Sequence, residues 1–331
     1  MSAASAKAPT VALLVAVRNE ADHIDAVLSS LATQTYPRDR LVIAVIDGES
    51  TDDTRERVMR WSERDERIML LGNPDRVMPA GLNIGIRSTR SEVVGVIGGH
   101  SGVAEDYVER AVAALMRTGA WGVGGRVVRV GTTPVQRTIA RAASSPIGVG
   151  DSSYNYSTVP GWAETAYPGM WPRWVFEQIG LFDPAMVSNE DNELSSRILE
   201  AGGRIWYEPS IEVQHVPRAS LRGAFHQYRK YAAGKSEVYR KHRGALRWRH
   251  LVPPLWVAWL LVTAAAGFIV PAFWIALGAS LAIYLAVLVV AALRGRDSGD
   301  SVGLTVAAFV GIHLGYGIGM WQAVFGLLAR R

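Results

Sequence analysis

The sequence predicts an α/β domain on a parallel sheet followed by a helical, membrane-embedded region, and three observations carry that expectation. Through the first 250 residues, apolar β-branched runs alternate with amphipathic segments, the signature of strands joined by crossover helices. Near the C-terminus, residues 252–293 and 302–328 contain no Asp, Glu, Lys or Arg, and a spanning helix needs ~20 apolar residues. Just before them, Arg218 to Arg249 encloses Arg222, Arg229, Lys230, Lys235, Arg240, Lys241, Arg243 and Arg247 against one acid, Glu237.

Strands are expected at 11–17, 41–46, 68–71 and 93–97, and helices at about 21–32, 53–61 and 80–88. In a sheet of this kind ligands gather at the carboxyl ends of the strands, near a switch in strand order. The residues there are polar. Arg18, Asn19 and Glu20 follow the first strand; Asp47, Gly48, Glu49, Ser50, Thr51 and Asp52 follow the second; Gly98, Gly99, His100 and Ser101 follow the fourth. A ligand site and a capped turn both fit the second cluster, because Ser50, Thr51 and Asp52 are all good N-cap residues. No G-x-G-x-x-G follows the first strand, which argues against a hydride-transferring dinucleotide fold. Gly122, Gly124 and Gly125 come too late for that role and read as a strand end with close backbone packing. Further on, Glu190, Asp191 and Glu193 stand at a helix start before the amphipathic run 194–199. Acids in a first turn suit the helix dipole; three acids in four residues exceed what a cap requires, and one could serve as a general base toward a hydroxyl.

The apolar C-terminal stretches lack a polar face at helical spacing, which predicts three transmembrane helices, two of them hinged near Pro271. The apolar run 11–17 is too short for a signal peptide and is interrupted at once by Arg18 and Glu20, so no leader is expected. A net charge of +5 is mild for 331 residues. Its concentration beside the membrane region points to anionic lipid rather than nucleic acid. With the N-terminal domain cytoplasmic, the basic segment and Arg294-Gly295-Arg296 both lie inside, as the positive-inside rule prefers; three spans put Arg330 and Arg331 outside. The absence of cysteine removes disulfides, thiolate metal sites and a cysteine nucleophile.

The motif series Val17-Arg18-Asn19-Glu20, Asp47-Gly48-Glu49-Ser50-Thr51-Asp52-Asp53-Thr54, Gly81-Leu82-Asn83-Ile84-Gly85-Ile86, Asn189-Glu190-Asp191 and Gln227-Tyr228-Arg229-Lys230-Tyr231 resembles the family 2 inverting glycosyltransferases. Within them it resembles the succinoglycan-type glucosyltransferases with a C-terminal membrane region. The resemblance covers about residues 10 to 245 and implies a Rossmann-like, nucleotide-sugar-binding α/β domain of the glycosyltransferase A type. It implies a disordered start at 1–9, a catalytic domain at 10–217, a basic membrane-proximal segment at 218–250 and a transmembrane region at 251–331. Glu20 and Asp47 would hold the uridine and ribose of the donor, with Arg18, Asn83 and Gly99 in the same subsite. Asp191, beside Glu190, would be the catalytic base. Gln227, Arg229 and Lys230 would reach the donor diphosphate and the acceptor, although contact with lipid headgroups fits Arg229 and Lys230 equally well. Glu164, Thr165, Gly169 and Trp171 occupy the family's acceptor loop.

One departure stands out. The subgroup places an acid, a small residue and a His after the fourth strand, and here Gly98, Gly99 and His100 stand there. The first acid is missing, which should weaken a Mg²⁺ or Mn²⁺ cofactor; His100 keeps the third position and suits Mn²⁺ better than Mg²⁺. The implied activity is inverting transfer of a hexose from a nucleoside diphosphate sugar, a UDP-sugar by resemblance. The implied acceptor is a polyprenyl-linked saccharide in envelope or exopolysaccharide synthesis at the inner membrane, with the catalytic domain cytoplasmic and the chain multi-pass. Gly98 motivates a competing expectation, a catalytically impaired relative that binds nucleotide or scaffolds assembly. A processive synthase is disfavoured by the short membrane region and by Tyr231.

Overall fold

The computed structural model describes residues 7–150, 152–186, 188–294 and 300–328. Most of the expected disordered N-terminus, residues 1–6, lies outside them, as do Gly295, Arg296, Arg330 and Arg331. In chain order the elements are β1 (Val11–Val17), α1 (Ile24–Ala32), β2 (Leu41–Asp47), α2 (Thr54–Ser62), β3 (Ile68–Gly72), α3 (Met78–Ser88), β4 (Val93–Val96), β5 (Ser101–Val103), α4 (Tyr107–Thr118) and β6 (Gly122–Arg129). There follow α5 (Pro134–Ala143), α6 (Pro146–Val149), β7 (Gly161–Ala163), β8 (Gly169–Pro172), α7 (Arg173–Ile179), α8 (Glu190–Glu200), β9 (Ile205–His215), α9 (Leu221–Lys241), α10 (Trp248–Gly267), α11 (Ala272–Leu293) and α12 (Val302–Leu328). The chain divides into two units, Met1–Val128 with Ser157–His215, and Arg129–Tyr156 with Val216–Arg331.

The first unit is a mixed sheet between helical layers, with strand order β3-β2-β1-β4-β8-β6-β9-β5 and β7 paired to β9. Strands β1 to β4 are parallel, as their apolar runs predict; β8 runs antiparallel to both β4 and β6. In β1 every residue but Ala16 is buried, the mark of a strand covered on both faces. Its alternate residues face opposite layers. Val11, Leu13 and Val15 pack with Leu28 and Leu31 of α1 and Val108 and Leu115 of α4, while Ala12 and Leu14 pack with Leu82 and Ile86 of α3, Phe176 of α7 and Leu194 of α8. Because β1 lies between β2 and β4, the chain leaves β1 on one side and returns on the other. That switch opens a crevice at the carboxyl ends of β1 and β4.

A buried ion pair braces the far end of this sheet. Arg67, 5% exposed, donates through Nε to Asp65 (2.9 Å) and through Nη2 to the Ala32 carbonyl (2.7 Å). The Arg67 hydrogen bonds hold the Asp65 carboxyl down to about 2, from the usual 3.8. A depressed acid stabilises the fold above its unfolded pKa and loses that contribution as pH falls through the folded value. Asp65→Asn is therefore expected to cost about 2 kcal/mol at neutral pH, with the gap to wild type closing between pH 4 and pH 2 in denaturant melts of the detergent-solubilised protein.

The second unit is helical. A capping box between Thr133 and Gln136, with Pro134 at the first position, starts α5, and the Ser220 side chain caps α9 through the Gly223 amide. Ile139, Ala142 and Ala143 of α5, Ala224 of α9, Leu288 of α11 and Ala308, Phe309 and Ile312 of α12 form one buried cluster. Helices α10 and α11 make a hairpin turning at Phe268 to Pro271, with Gly267 tight against the Trp274 ring. By length and composition α10, α11 and α12 could each cross a membrane.

Candidate active site

Four non-glycine residues among those described have left-handed backbone, Asn19 (φ 55°), Glu49 (54°), Arg76 (58°) and Asn189 (64°). Three follow β1, β2 and β3, and the fourth precedes α8. Such a conformation costs a residue with a Cβ roughly 1 kcal/mol and persists where the surroundings over-determine it. Here the loops lock one another. Asn19 N donates to Ser50 Oγ (2.9 Å) and Asn19 Oδ1 accepts from Thr51 N (2.8 Å). Glu20 N donates to Thr54 Oγ1 (2.8 Å), Ala21 N to Asp52 Oδ2 (3.2 Å) and Arg76 Nε to Glu49 Oε2 (2.6 Å). The polar side chains of 47–52 thus tie the loops into a rim. The Thr54 hydroxyl is the chief reason the Asp52 carboxyl sits below its usual range.

Within the rim, Glu20 faces the loop after β4, its Oε1 3.5 Å from His100 Nδ1. Gly99 makes that approach possible, since a β-carbon there would lie 2.9 Å from Val17 Cγ1 and 3.3 Å from Glu20 Cγ. Arg18 is exposed at the same edge. Asp47 is buried, its carboxylate accepting from Ser50 N (3.3 Å) and lying 3.6 Å from Arg55.

Asp191 stands in the first turn of α8, half-buried, with Asn192 Nδ2 donating to its Oδ1 (3.1 Å). The helix has 11 residues, about 16 Å, and turns through Gly202 and Gly203 into β9. Its first turn therefore points toward the end of the sheet to which β9 runs. Ser195, one turn on, donates to the Asp191 carbonyl (2.6 Å), accepts from Ala166 N (3.3 Å) and lies 3.3 Å from the Thr165 hydroxyl. The loop of the exposed Glu164 and the half-buried Thr165 is thus fastened to the helix that carries Asp191. Glu193, from the same acidic cluster, is a brace: buried, it pairs with Arg197 (2.8 Å), which also donates to the carbonyls of Ile179, Gly180 and Leu181.

The donors near His100 bear on a divalent cofactor. A β-carbon at Gly98 would meet Ser101 Oγ at 2.7 Å, so an acid there would have to turn that hydroxyl aside. Among the described residues no three His, Cys, Asp or Glu side chains form a set that could hold a metal by themselves. What the site offers is the Glu20–His100 pair, with the rings of His215 and His23 5.4 and 6.3 Å from that of His100. Ligand atoms on neighbouring positions of one such ion lie ~3 Å apart. The pair therefore fits an ion that completes its shell with phosphate and water.

Three expectations are corrected: Gly169, placed in the acceptor loop, is buried as the first residue of β8, against the Trp171 ring. Trp171, placed in the acceptor loop, is 1% exposed and packs edge-on to Phe176 and Phe182 in the core, leaving no surface for an acceptor. Asn83, placed in the donor subsite, is buried, and its amide both donates to Phe182 O (2.7 Å) and accepts from Phe182 N (3.0 Å); it straps α3 to the segment before α8. Gln227, Arg229 and Lys230 belong to the second unit, on α9. Sequence reasoning missed His215 and Ser195. His215 meets His100 through the register of β5 on β9, which no spacing in the chain reveals; Ser195 sits one helical turn after Asp191, and that periodicity is readable.

The sequence model described as Glycosyl transferase family 2 matches residues 12–172. The chain is 30% identical over 325 residues, 96% of either protein, to the succinoglycan biosynthesis protein ExoA of Rhizobium meliloti. It is 23% identical over 246 residues, 72% of this chain and 76% of the other, to a dolichyl N-acetyl-alpha-D-glucosaminyl phosphate 3-beta-D-2,3-diacetamido-2,3-dideoxy-beta-D-glucuronosyltransferase of Methanococcus voltae. Among solved structures, the mannosyltransferase PcManGT from Pyrobaculum calidifontis, in complex with GDP-Man and Mn²⁺, superposes with a TM-score of 0.62 at 23% identity, over 92% of this chain and 87% of that one. That likeness shows the fold, of the glycosyltransferase A type.

Proposed function

Since the chain belongs to glycosyl transferase family 2, we propose that it moves a hexose, with inversion, from a nucleoside diphosphate sugar to a membrane-held, polyprenyl-linked saccharide during polysaccharide synthesis. The observation that carries this reading is the fastening of the Asp191 helix to the 164–166 loop through Ser195. It gives a carboxylate and an acceptor loop one rigid frame. Asp191 takes the proton of the acceptor hydroxyl as that oxygen bonds to the anomeric carbon; the bond to the diphosphate breaks on the opposite face, and the single displacement inverts the centre. Arg18, Glu20 and Asp47 hold the nucleoside, with Gly99 allowing close approach. The parts of Gln227, Arg229 and Lys230 rest on the family resemblance alone. The likeness to ExoA supports a place in exopolysaccharide assembly, and the three apolar helices support a multi-pass location in the inner membrane with the first unit cytoplasmic.

The divalent ion, when bound, supplies positive charge to the departing diphosphate. The Glu20–His100 pair and the Mn²⁺ in PcManGT support Mn²⁺ over Mg²⁺. Removing either partner is expected to weaken Mn²⁺ binding in the presence of UDP by about tenfold, read by Mn²⁺ electron paramagnetic resonance on Glu20→Gln and His100→Ala; unchanged binding in both would remove the pair from the site. The reading as a whole is tested by a panel of UDP- and GDP-sugars scored for thermal stabilisation and then for transfer, since a ligand bound only by the folded state raises its melting temperature.

A further inference from the structure

Length and composition make α12 a third membrane span; its surroundings within the second unit do not. From residue 304 to residue 321 no α12 side chain is exposed, whereas most of α11 is exposed along its length. A spanning helix can be covered by other spans, so what covers α12 decides the matter. One cover is α9. β-carbons placed on Gly311 and Gly315 would lie 3.9 Å from Leu221 O and 2.5 Å from Phe225 O, and one on Gly319 would meet Arg229 O. Both helices advance four residues per contact, so they run side by side for two turns with their backbones in touch. Over and just beside this stretch α9 carries Arg222, His226, Arg229 and Lys230. A second cover is α5 with α6: Ile139 and Ala143 pack near Phe309, and His313 Nε2 meets Ile147 O at 2.8 Å. Arg141 of α5 pairs with Asp300, just before α12 (2.9 Å).

If α12 crossed the hydrocarbon, α9 with Arg222, Arg229 and Lys230 would have to cross beside it, which is costly for so many charges on one helix. The contacts of α12 with α10 agree. Gly317 sits against Pro253 and Val257, and Trp321 Nε1 donates to Pro254 O (2.8 Å), all in the first three turns of the 20-residue α10. So α12 stays level with the start of α10.

We propose that α12 does not span: it lies at the membrane surface, packed under α5 and α9, and only the α10–α11 hairpin crosses the bilayer. The partner surface is anionic lipid, met by the basic side of α9 and by the segment before α10.

The chain has no cysteine, so one introduced thiol is a unique reporter. Gly244→Cys, Ile269→Cys and Phe325→Cys, all at exposed positions, are made in the full chain and probed in sealed, oriented vesicles with a membrane-impermeant maleimide. The label is expected to reach 325 from the face that reaches 244 and to reach 269 only from the other. Labelling of 325 only from the 269 face overturns the proposal. Should Phe325→Cys fail to accumulate, a C-terminal epitope tag on the otherwise unaltered chain gives the same answer: its removal by protease added on the 244 face supports two spans, and removal only from the opposite face establishes three.

Discussion

Asp191→Asn is expected to lower transfer about a thousandfold while leaving donor binding at the wild-type level. The amide keeps the size of the carboxylate and can still meet Asn192, so the first turn of α8 stays in place and only proton acceptance is lost. Thermal stabilisation by the donor that wild type prefers should be unchanged in the variant; equal turnover in the two proteins would discard the assigned base. Ser195→Ala separates the base from its frame. It removes the hydroxyl that joins Asp191 O to the 164–166 loop, so KM for the acceptor should rise more than kcat falls, with donor binding again intact. A wild type that binds nucleotide and transfers from none of the panel would favour the impaired-relative reading that Gly98 motivates.

Gly315→Leu is expected to have the largest effect on stability. A β-carbon at 315 already falls 2.5 Å from the Phe225 carbonyl, a backbone atom that cannot rotate away, and the isobutyl group must then part α9 from α12. Overpacking of a core costs about 1–3 kcal/mol, and a backbone clash stands at the top of that range. The control is Gly278→Ala in α11, where a β-carbon meets nothing within 4 Å; loss of glycine flexibility there should stabilise by up to about 1 kcal/mol. Opposite signs for two glycines in apolar helices, read as melting temperatures in detergent, would show that the 311–315–319 series is a packing surface. Equal effects would reduce it to composition.

Much of this was legible in the chain. The strands β1 to β4 are found within a residue of their apolar runs, because a strand buried on both faces must be apolar at nearly every position, as 11–17 is. The helix start at 190 and the break at Pro271 are equally local. The polar residues after β1 and β2 stand at the strand ends where the same logic put them, but Asn83, expected in the donor subsite, is a brace, since an amide reads the same whether its partner is a ligand or the Phe182 backbone. Trp171 misled for a related reason. An aromatic beside a loop can face solvent or core, and only the neighbouring Phe176 and Phe182 decide which.

What the sequence determined by itself is the set of properties carried by neighbours along the chain: the α/β alternation, the apolar C-terminal helices, the basic segment before them and the motif series that marks the family. What only the tertiary structure decided is everything that depends on residues far apart meeting. Glu20 lies against His100, Ser195 links Asp191 to Thr165, and α9 fills the glycine face of α12, pairings separated by 30 to 90 residues. Local preference acts through backbone torsions and the pattern of burial, which a few residues specify; distant contacts depend on the order and register of strands and on which helix covers which face, and a single sequence does not print that order.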